Sequence, residues 1–351
     1  MKKLFITFLA ALNFAQSQQS IDSKLNIIFL IGDGMGLSQI SAAMYVNNNQ
    51  TILEDFPFIG LAKTHAAKNL VTDSAASGTA MACGEKTYNG VIGINKRNQK
   101  VESVLEICSK NGYKTGLITT SSILHATPAS FYAKVDSRSK YDEIASQLSE
   151  SDINYFIGGG KKYFVERKDG RNLIEEMSSI EVVKNLKVFK KSKANKIGLF
   201  TFDEEPPSII SGREPLLAEF LSATLNKLEN QVEPFFLMVE GAQIDWGGHA
   251  NEINYVTSEL IEFNSAIEVA LNYAKKNSNT LVIVTADHET GGLAITDGTV
   301  EDFEFVAKFN TEGHSATMVP VFTYGKFSKL FAGIYENTQI FFKMKEALGF
   351  D

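Results

Sequence analysis

The chain has 351 residues, of which 44% are hydrophobic, so it is long enough to bury a large core. Its formal net charge is −7, and acidic and basic residues are interspersed without a basic run, which argues against a nucleic-acid-binding protein.

The first predicted element is an export signal. The segment MKKLFITFLAALNFAQ has two lysines, a short apolar run and small residues near Ala15, which is the layout of a secretory signal peptide. We therefore expect a signal peptide over residues 1–15, one domain over 16–351, and a periplasmic or secreted protein. No later segment reaches the ~18 consecutive apolar residues of a membrane span, so we expect no membrane association.

Four short apolar runs rich in β-branched residues predict buried strands. They are NIIFLI at 26–31, KTGLITT at 114–120, FFLMV at 235–239 and TLVIVT at 280–285. Helical patterns cover 100–111, 214–229 and 254–276, while the charged segment 161–196 predicts surface elements. Such strands alternating with helices predict an α/β fold, a three-layer sandwich with a mostly parallel central sheet and helices on both faces.

Polar segments follow the four predicted strands: GDGMG, SSILHAT, EGAQIDWGGH and ADHETGG. Ligands of open α/β sheets bind beyond the carboxyl ends of the strands, so these segments should deliver their side chains to one edge. Four of the five histidines lie in these segments or in EGHSAT, namely His125, His249, His288 and His314. The sequence therefore predicts one polar site.

Two kinds of metal ligand occur in these segments. Asp245 and His249 are four residues apart in DWGGH, and Asp287 precedes His288 directly. Carboxylate and imidazole together suit zinc, and a catalytic zinc keeps one position open.

An oxygen-only set suits magnesium instead, and Asp33, Thr127 and Glu240 could form one. GDGMG also follows a strand as a dinucleotide fingerprint does, but Leu37 stands where that motif has its last glycine. The glycines fit better with a sharp turn that points Asp33 at a metal.

The stretch VTDSAASGTA predicts a helix that begins at Asp73 or Ser74 and ends near Gly84. A capping role would explain the pair by itself. Beside a metal cluster, however, a helix N-terminus binds anions, and a serine there can act as an activated nucleophile. Cys83 at its end could pair with Cys108, the only other cysteine, but two buried free thiols fit their surroundings at least as well.

Seven segments together resemble the alkaline phosphatases, and the chain is most similar to the short bacterial members. They are IGDGMG, VTDSAASGTA, CGEKTYNG, HATPASFYAKVDSR, VEGAQIDWGGHA, TADHETGG and GHSAT, in family order over residues 31–317. The resemblance implies a phosphomonoester hydrolase that releases inorganic phosphate, which also inhibits it. It also implies a homodimer.

The resemblance further implies a role for each matched residue. Ser74 would be the nucleophile that becomes phosphorylated, and Arg138 would grip two phosphate oxygens. The two zinc sites and the magnesium site would be formed by Asp245, His249 and His314; by Asp33, Asp287 and His288; and by Thr127 and Glu240 with Asp33.

Three neighbouring residues complete the expected site. Asp73 adjoins the nucleophile, and His125 and Trp246 occupy positions that are Asp and Lys in some bacterial members. His125 could favour zinc over magnesium in the third site, and Trp246 could be a packing residue. The alternatives are a phosphodiesterase or sulfatase of the same superfamily, or a non-enzymatic exported protein that binds phosphate or zinc.

Overall fold

The computed structural model describes residues 24–229 and 231–350. The signal peptide expected over residues 1–15 therefore lies outside the described residues. Within the described ranges, no helix is both long enough and apolar enough to cross a membrane.

Strands and helices alternate along most of the chain. The strands are β1 (Asn26–Gly32), β2 (Phe58–Lys63), β3 (Lys114–Ser122), β4 (Tyr155–Gly159), β5 (Glu181–Val183), β6 (Ile197–Phe200), β7 (Phe235–Gly241), β8 (Thr280–Thr285), β9 (Glu289–Thr290), β10 (Ala294–Gly298), β11 (Phe305–Lys308), β12 (His314–Ser315), β13 (Val319–Gly325) and β14 (Gly333–Glu336). The α-helices are α1 (Leu37–Val46), α2 (Ser74–Cys83), α3 (Val104–Lys110), α4 (Ala126–Ala129), α5 (Tyr141–Ser149), α6 (Lys162–Val165), α7 (Leu173–Glu176), α8 (Leu186–Lys191), α9 (Leu217–Leu228), α10 (Gln243–His249), α11 (Ile253–Lys276) and α12 (Thr338–Leu348). Short 3-10 turns cover Ile52–Asp55, Ile209–Ser211 and Ser328–Phe331.

Ten strands form one sheet in the order β14-β2-β13-β8-β1-β7-β3-β4-β6-β5. All neighbouring pairs are parallel except those that β13 makes with β2 and β8. The four strands predicted from apolar runs are the adjacent central strands β8, β1, β7 and β3. Their side chains are almost entirely buried, because helices pack against the sheet.

The helices fall into two packed groups. In one, α11 contacts α1, α9 and α10; in the other, α2 contacts α3, α4 and α12. Strand β5 lies at the edge of the sheet, within the charged segment 161–196. The expected α/β fold, a mostly parallel sheet flanked by helices, is confirmed.

Two predicted helices begin later than their sequence patterns indicate. α3 starts after Ser103, whose hydroxyl accepts from the Glu106 backbone N–H while the Glu106 carboxylate accepts from Ser103 N–H. This capping box sets the N-terminus of α3 at Ser103. α9 likewise starts after Leu216, whose N–H donates to the Glu219 carboxylate at 3.0 Å.

Cys83 at the end of α2 and Cys108 on α3 are both free and buried. Burial raises the pKa of the Cys83 thiol to about 12. The structure therefore favours two inert thiols over a disulfide.

Candidate active site

The register of the central strands brings the predicted site residues to one sheet edge. Ile31 of β1 pairs with Glu240 of β7 on one side and with Thr285 of β8 on the other. Asp33 is the first residue after β1, and its N–H donates to Gly241 O at 3.1 Å. Asp287 likewise follows β8. Asp33, Glu240 and Asp287, from three neighbouring strands, therefore meet at this edge.

Glycine lets two of these segments approach each other closely. Gly34 has a φ of 74°, and a Cβ at this position would lie 2.7 Å from Asp245 Cα. Both the backbone conformation and the missing side chain are therefore required, which agrees with the sharp turn expected for GDGMG. At Gly248, a Cβ would come within 2.9 Å of Thr290 side-chain atoms.

Asp33, Asp287 and His288 form the first cluster. His288 Nε2 lies 3.0 Å from Asp287 Oδ2 and 3.6 Å from Asp33 Oδ1. Asp287 Oδ1 accepts hydrogen bonds from the N–H groups of Gly34 and His288. All three side chains are buried, and their ligand atoms lie within 4.8 Å of one another.

Asp245, His249 and His314 form the second cluster. His249 Nε2 lies 3.4 Å from Asp245 Oδ2, and His314 Nε2 lies 3.4 Å from Asp245 Oδ1. The two Nε2 atoms are 3.1 Å apart. His288 stacks on His314 with 3.5 Å between ring centroids, so the two clusters are contiguous.

Oxygen acceptors hold the Nδ1 atoms of all three histidines. The backbone carbonyls of Glu312 and Thr72 accept from His249 Nδ1 at 2.5 Å and from His314 Nδ1 at 2.8 Å, respectively. Thr290 Oγ1 lies 3.2 Å from His288 Nδ1. Because Thr290 donates its own hydroxyl hydrogen to Asp245 Oδ1, its oxygen accepts from His288 Nδ1. Each Nδ1 therefore carries a hydrogen, and in the neutral ring Nε2 carries the lone pair.

These two clusters fit a pair of zinc ions. Ligands about 2.0–2.1 Å from a tetrahedral zinc stand about 3.3 Å apart, and the donor separations here range from 3.0 to 3.6 Å. Asp33 Oδ1 and Asp287 Oδ2 are buried without hydrogen-bond partners. Burial and the nearby charges of Asp287 and Asp245 raise the pKa of Asp33 well above its usual value. A cation would satisfy the orphaned oxygens and stabilise the ionised carboxylate.

An oxygen-rich cluster surrounds Glu240, which is 1% exposed. Burial raises the pKa of Glu240 to about 7, although hydrogen bonds from Thr119 and Thr127 oppose the shift. Ser121 Oγ donates to Glu240 Oε2 at 3.4 Å, and Thr127 Oγ1 lies 3.5 Å from Asp33 Oδ2. This arrangement of hydroxyl and carboxylate oxygens matches the ligand chemistry of magnesium.

His125 and Trp246 lie next to each other, with ring centroids 5.7 Å apart. His125 Nε2 is 3.1 Å from Glu205 Oε1. When its ring is protonated, His125 lowers the pKa of Glu240 through its charge.

Ser74 is the first residue of α2 and is 3% exposed. Its Oγ lies 3.4 Å from His288 Nε2, beside the first cluster. Asp73 is the N-cap, because its Oδ1 accepts from Ala76 N–H at 2.9 Å. The structure thus separates the two roles, with Asp73 capping the helix and the Ser74 hydroxyl facing the site. Gly84 ends the helix, as predicted.

A loop holds Asp73 and Arg138 together. Asp73 Oδ2 accepts from Gly90 N–H at 2.9 Å and from Arg138 Nη1 at 3.2 Å, and Gly90 O accepts from Arg138 N–H at 2.7 Å. Asn89 accepts from Asp73 N–H and donates to Val71 O. The guanidinium is therefore held beside the start of α2, where anions bind.

Comparison with known proteins identifies the family of the chain. The family model described as alkaline phosphatase matches residues 24–308. The chain belongs to the alkaline phosphatase family. It is 34% identical to alkaline phosphatase 3 of Bacillus subtilis, over 94% of this chain and 90% of that protein. It is 40% identical to alkaline phosphatase 4 of the same organism, over 77% of this chain and 62% of that protein.

Solved structures of alkaline phosphatases show the same fold. The enzyme from the Antarctic bacterium TAB5 is 41% identical and superposes with a TM-score of 0.88, covering 93% of this chain and 99% of that one. Variants of that enzyme, with a histidine replaced by glutamate or aspartate, contain Mg in a site called M3. The present protein is thus a phosphatase of this family and shares the fold of these enzymes.

Sequence reasoning missed two side chains that hold the ligands. Thr290 bridges Asp245 and His288, and a polar residue in ADHETGG could have suggested it. Glu205 lies in TFDEEPPS, far in sequence from His125, and nothing there distinguishes it from its exposed neighbour Glu204.

Proposed function

We propose that the protein hydrolyses phosphate monoesters through a covalent phosphoserine on Ser74. The observation that carries the proposal is the position of Ser74 Oγ, at the N-terminus of α2 and 3.4 Å from His288 Nε2 in the candidate metal cluster. A capping serine has no need of such a neighbour, and Asp73 already caps the helix. Inorganic phosphate would be both the product and an inhibitor.

The chain's own groups account for binding and bond exchange. Arg138 would hold two phosphoryl oxygens with its planar fork, and N–H groups at the start of α2 would face the same anion. The Ser74 hydroxyl loses its proton as the bond from Oγ to phosphorus forms, the bond from phosphorus to the leaving oxygen breaks, and that oxygen takes up a proton and departs as the alcohol. Water then hydrolyses the phosphoserine, which releases phosphate and restores the Ser74 hydroxyl.

We assign the metal ligands as the matched motifs imply. Asp245, His249 and His314 would hold one zinc; Asp33, Asp287 and His288 would hold the second; Thr127 and Glu240, with Asp33, would form the third site. When bound, two zinc ions stabilise the charge on the entering and leaving oxygens. The donor spacing and the Nδ1 acceptors described above support this assignment.

His125 is our candidate for the residue that sets the identity of the third ion. The TAB5 variants with a replaced histidine hold Mg in their M3 site, and in this chain His125 stands two residues before Thr127 and acts electrostatically on Glu240. Of the other histidines, His65 pairs with Glu336 at 2.8 Å, and the remaining three face the zinc clusters. We expect His125→Asp to increase the retention of magnesium after dialysis, as measured by elemental analysis.

The decisive experiment traps the phosphoenzyme. Acid-quenched enzyme that has been incubated with labelled phosphate should carry label on the peptide containing Ser74, and Ser74→Ala should carry none and lose turnover. Ser41→Ala is the control and should behave as the wild type, because the partly exposed Ser41 hydroxyl only donates to Leu37 O within α1. Label on another residue, or wild-type turnover of Ser74→Ala, would favour direct attack by water.

Faster turnover of a diester or a sulfate ester than of a monoester would indicate a related hydrolase of the superfamily.

Two further properties rest on the family likeness and on the first residues of the sequence. We propose a homodimer, which sedimentation of the purified enzyme would test. We also propose export with cleavage near Ala15, which N-terminal sequencing of the extracytoplasmic protein would test.

A further inference from the structure

His125 is held in the opposite way from the three histidines of the zinc clusters. Those rings are anchored through Nδ1, which leaves Nε2 facing the carboxylates. In His125, Nε2 itself is engaged, 3.1 Å from Glu205 Oε1. An ionised carboxylate only accepts hydrogen bonds, so His125 Nε2 carries the hydrogen and, in the neutral ring, Nδ1 carries the lone pair.

Glu205 also binds the turn on which His125 stands. Its Oε2 accepts from Ser122 N–H at 2.6 Å, and Ser122 O accepts from His125 N–H at 3.0 Å. Leu124 N–H donates to Ser122 Oγ. One carboxylate therefore bridges the backbone at the end of β3 and the imidazole that follows it, which fixes the orientation of the ring.

The backbone on both sides of Glu205 is anchored to the core. Glu204 O accepts from Gly160 N–H at 2.8 Å. Pro206 O accepts from the buried Gln243 Nε2 at 3.0 Å, and Gln243 Oε1 accepts from Tyr255 OH at 2.7 Å. These contacts hold the backbone on both sides of Glu205, whose own side chain is 36% exposed.

We propose that Glu205 is a positioning residue for the third metal site, where it fixes the His125 tautomer and favours zinc over magnesium. The proposal rests on the proposed function of that site. A carboxylate that accepts from a ligand histidine orients the ring and increases its basicity, and loss of such a partner typically costs about 10–100-fold in metal affinity. Imidazole suits zinc, whereas oxygen ligands suit magnesium.

Glu205→Gln is the informative variant because its amide has only one oxygen. If that oxygen accepts from Ser122 N–H, the NH₂ group faces His125 Nε2 and favours the tautomer with hydrogen on Nδ1. Glu204→Gln is the matched control. The side chain of Glu204 is 66% exposed and pairs with Lys162 instead of a site residue.

Two measurements test the proposal. The first is the ¹⁵N NMR spectrum of histidine-labelled, metal-free protein at alkaline pH, in which His125→Asn identifies the His125 signals. The second is the zinc and magnesium content of each variant after equilibration with both ions. We expect hydrogen on Nε2 in the wild type and in Glu204→Gln, and a shift toward Nδ1 in Glu205→Gln. Zinc affinity at the third site should fall about 10–100-fold in Glu205→Gln while two zinc ions per chain are retained.

Hydrogen on Nδ1 in the wild type would overturn the proposal. So would a Glu205→Gln variant whose tautomer and zinc-to-magnesium ratio equal those of Glu204→Gln. Because the NMR measurement uses metal-free protein, it decides the role of Glu205 even if the enzyme forms no phosphoserine. Failure of the proposed function would appear instead in the labelling of Ser74.

Discussion

Arg213 is the cation of a buried ion cluster, so its removal should be strongly destabilising. Its Nη1 and Nη2 donate to the two carboxylate oxygens of Glu259 at 3.2 and 2.6 Å, and Nη2 lies 3.4 Å from Glu262 Oε2. The side chains of Arg213, Glu259 and Glu262 are 3%, 2% and 4% exposed. The two carboxylates also accept from the N–H groups of Ile209 and Leu217, so the cluster joins α11 to the segment before α9.

Arg213→Met would leave two buried carboxylates without their cation. Removal of one partner from a buried ion pair typically lowers the free energy of unfolding by about 3–5 kcal/mol, because the remaining charge stays desolvated. Arg213→Lys keeps the charge but loses the two-pronged geometry, so its loss should be smaller. Arg171→Met is the control: Arg171 makes the same kind of bidentate pair with Glu176, but on the surface.

Urea unfolding of the metal-loaded enzyme would measure these differences, and the loss should depend on pH. Burial raises the pKa of Glu262, and the charge of Arg213 opposes the shift. Without Arg213 the pKa in the folded state should rise further. A raised carboxylate pKa costs stability above that pKa, and the cost disappears as pH falls through it, so the loss should be larger at about pH 8 than at about pH 5. Equal losses for Arg213→Met and Arg171→Met would refute the reasoning.

Three further predictions concern the site itself. Arg138→Ala should raise the inhibition constant of phosphate about 10–100-fold, the value of a hydrogen bond to a charged group, and an unchanged constant would remove Arg138 from the anion site. Asp73→Ala should lower the free energy of unfolding, measured by urea titration, by about 1–2 kcal/mol, because Ala76 N–H and Gly90 N–H both lose their acceptor. Asp73→Asn keeps one acceptor oxygen and should recover part of the loss. Chelation should lower turnover and melting temperature together, and added zinc should restore both; full turnover of metal-free protein would contradict the zinc assignment.

The central sheet could be predicted from the sequence because its strands are buried on both faces. NIIFLI and TLVIVT have no alternation, and they became β1 and β8 with nearly the predicted bounds. The strands on the β14 side could not be predicted in the same way. β13 contains Pro320 and β14 reads GIYE, so neither presents a continuous apolar run, and their place depends on pairing with β2 and β8.

The candidate ligands could also be found in the sequence, because Asp and His at the ends of buried strands have few structural reasons to be there. Whether Asp73 or Ser74 caps α2 could not, since either side chain can cap and only the distances to Ala76 N and His288 separate the roles. The acceptors that fix the histidine tautomers were also beyond sequence reasoning. Two of them are backbone carbonyls, which every residue type carries, and the third is Thr290. Their positions follow from chain segments that meet only after folding, so tertiary structure alone determines which histidine nitrogen is left to bind a metal.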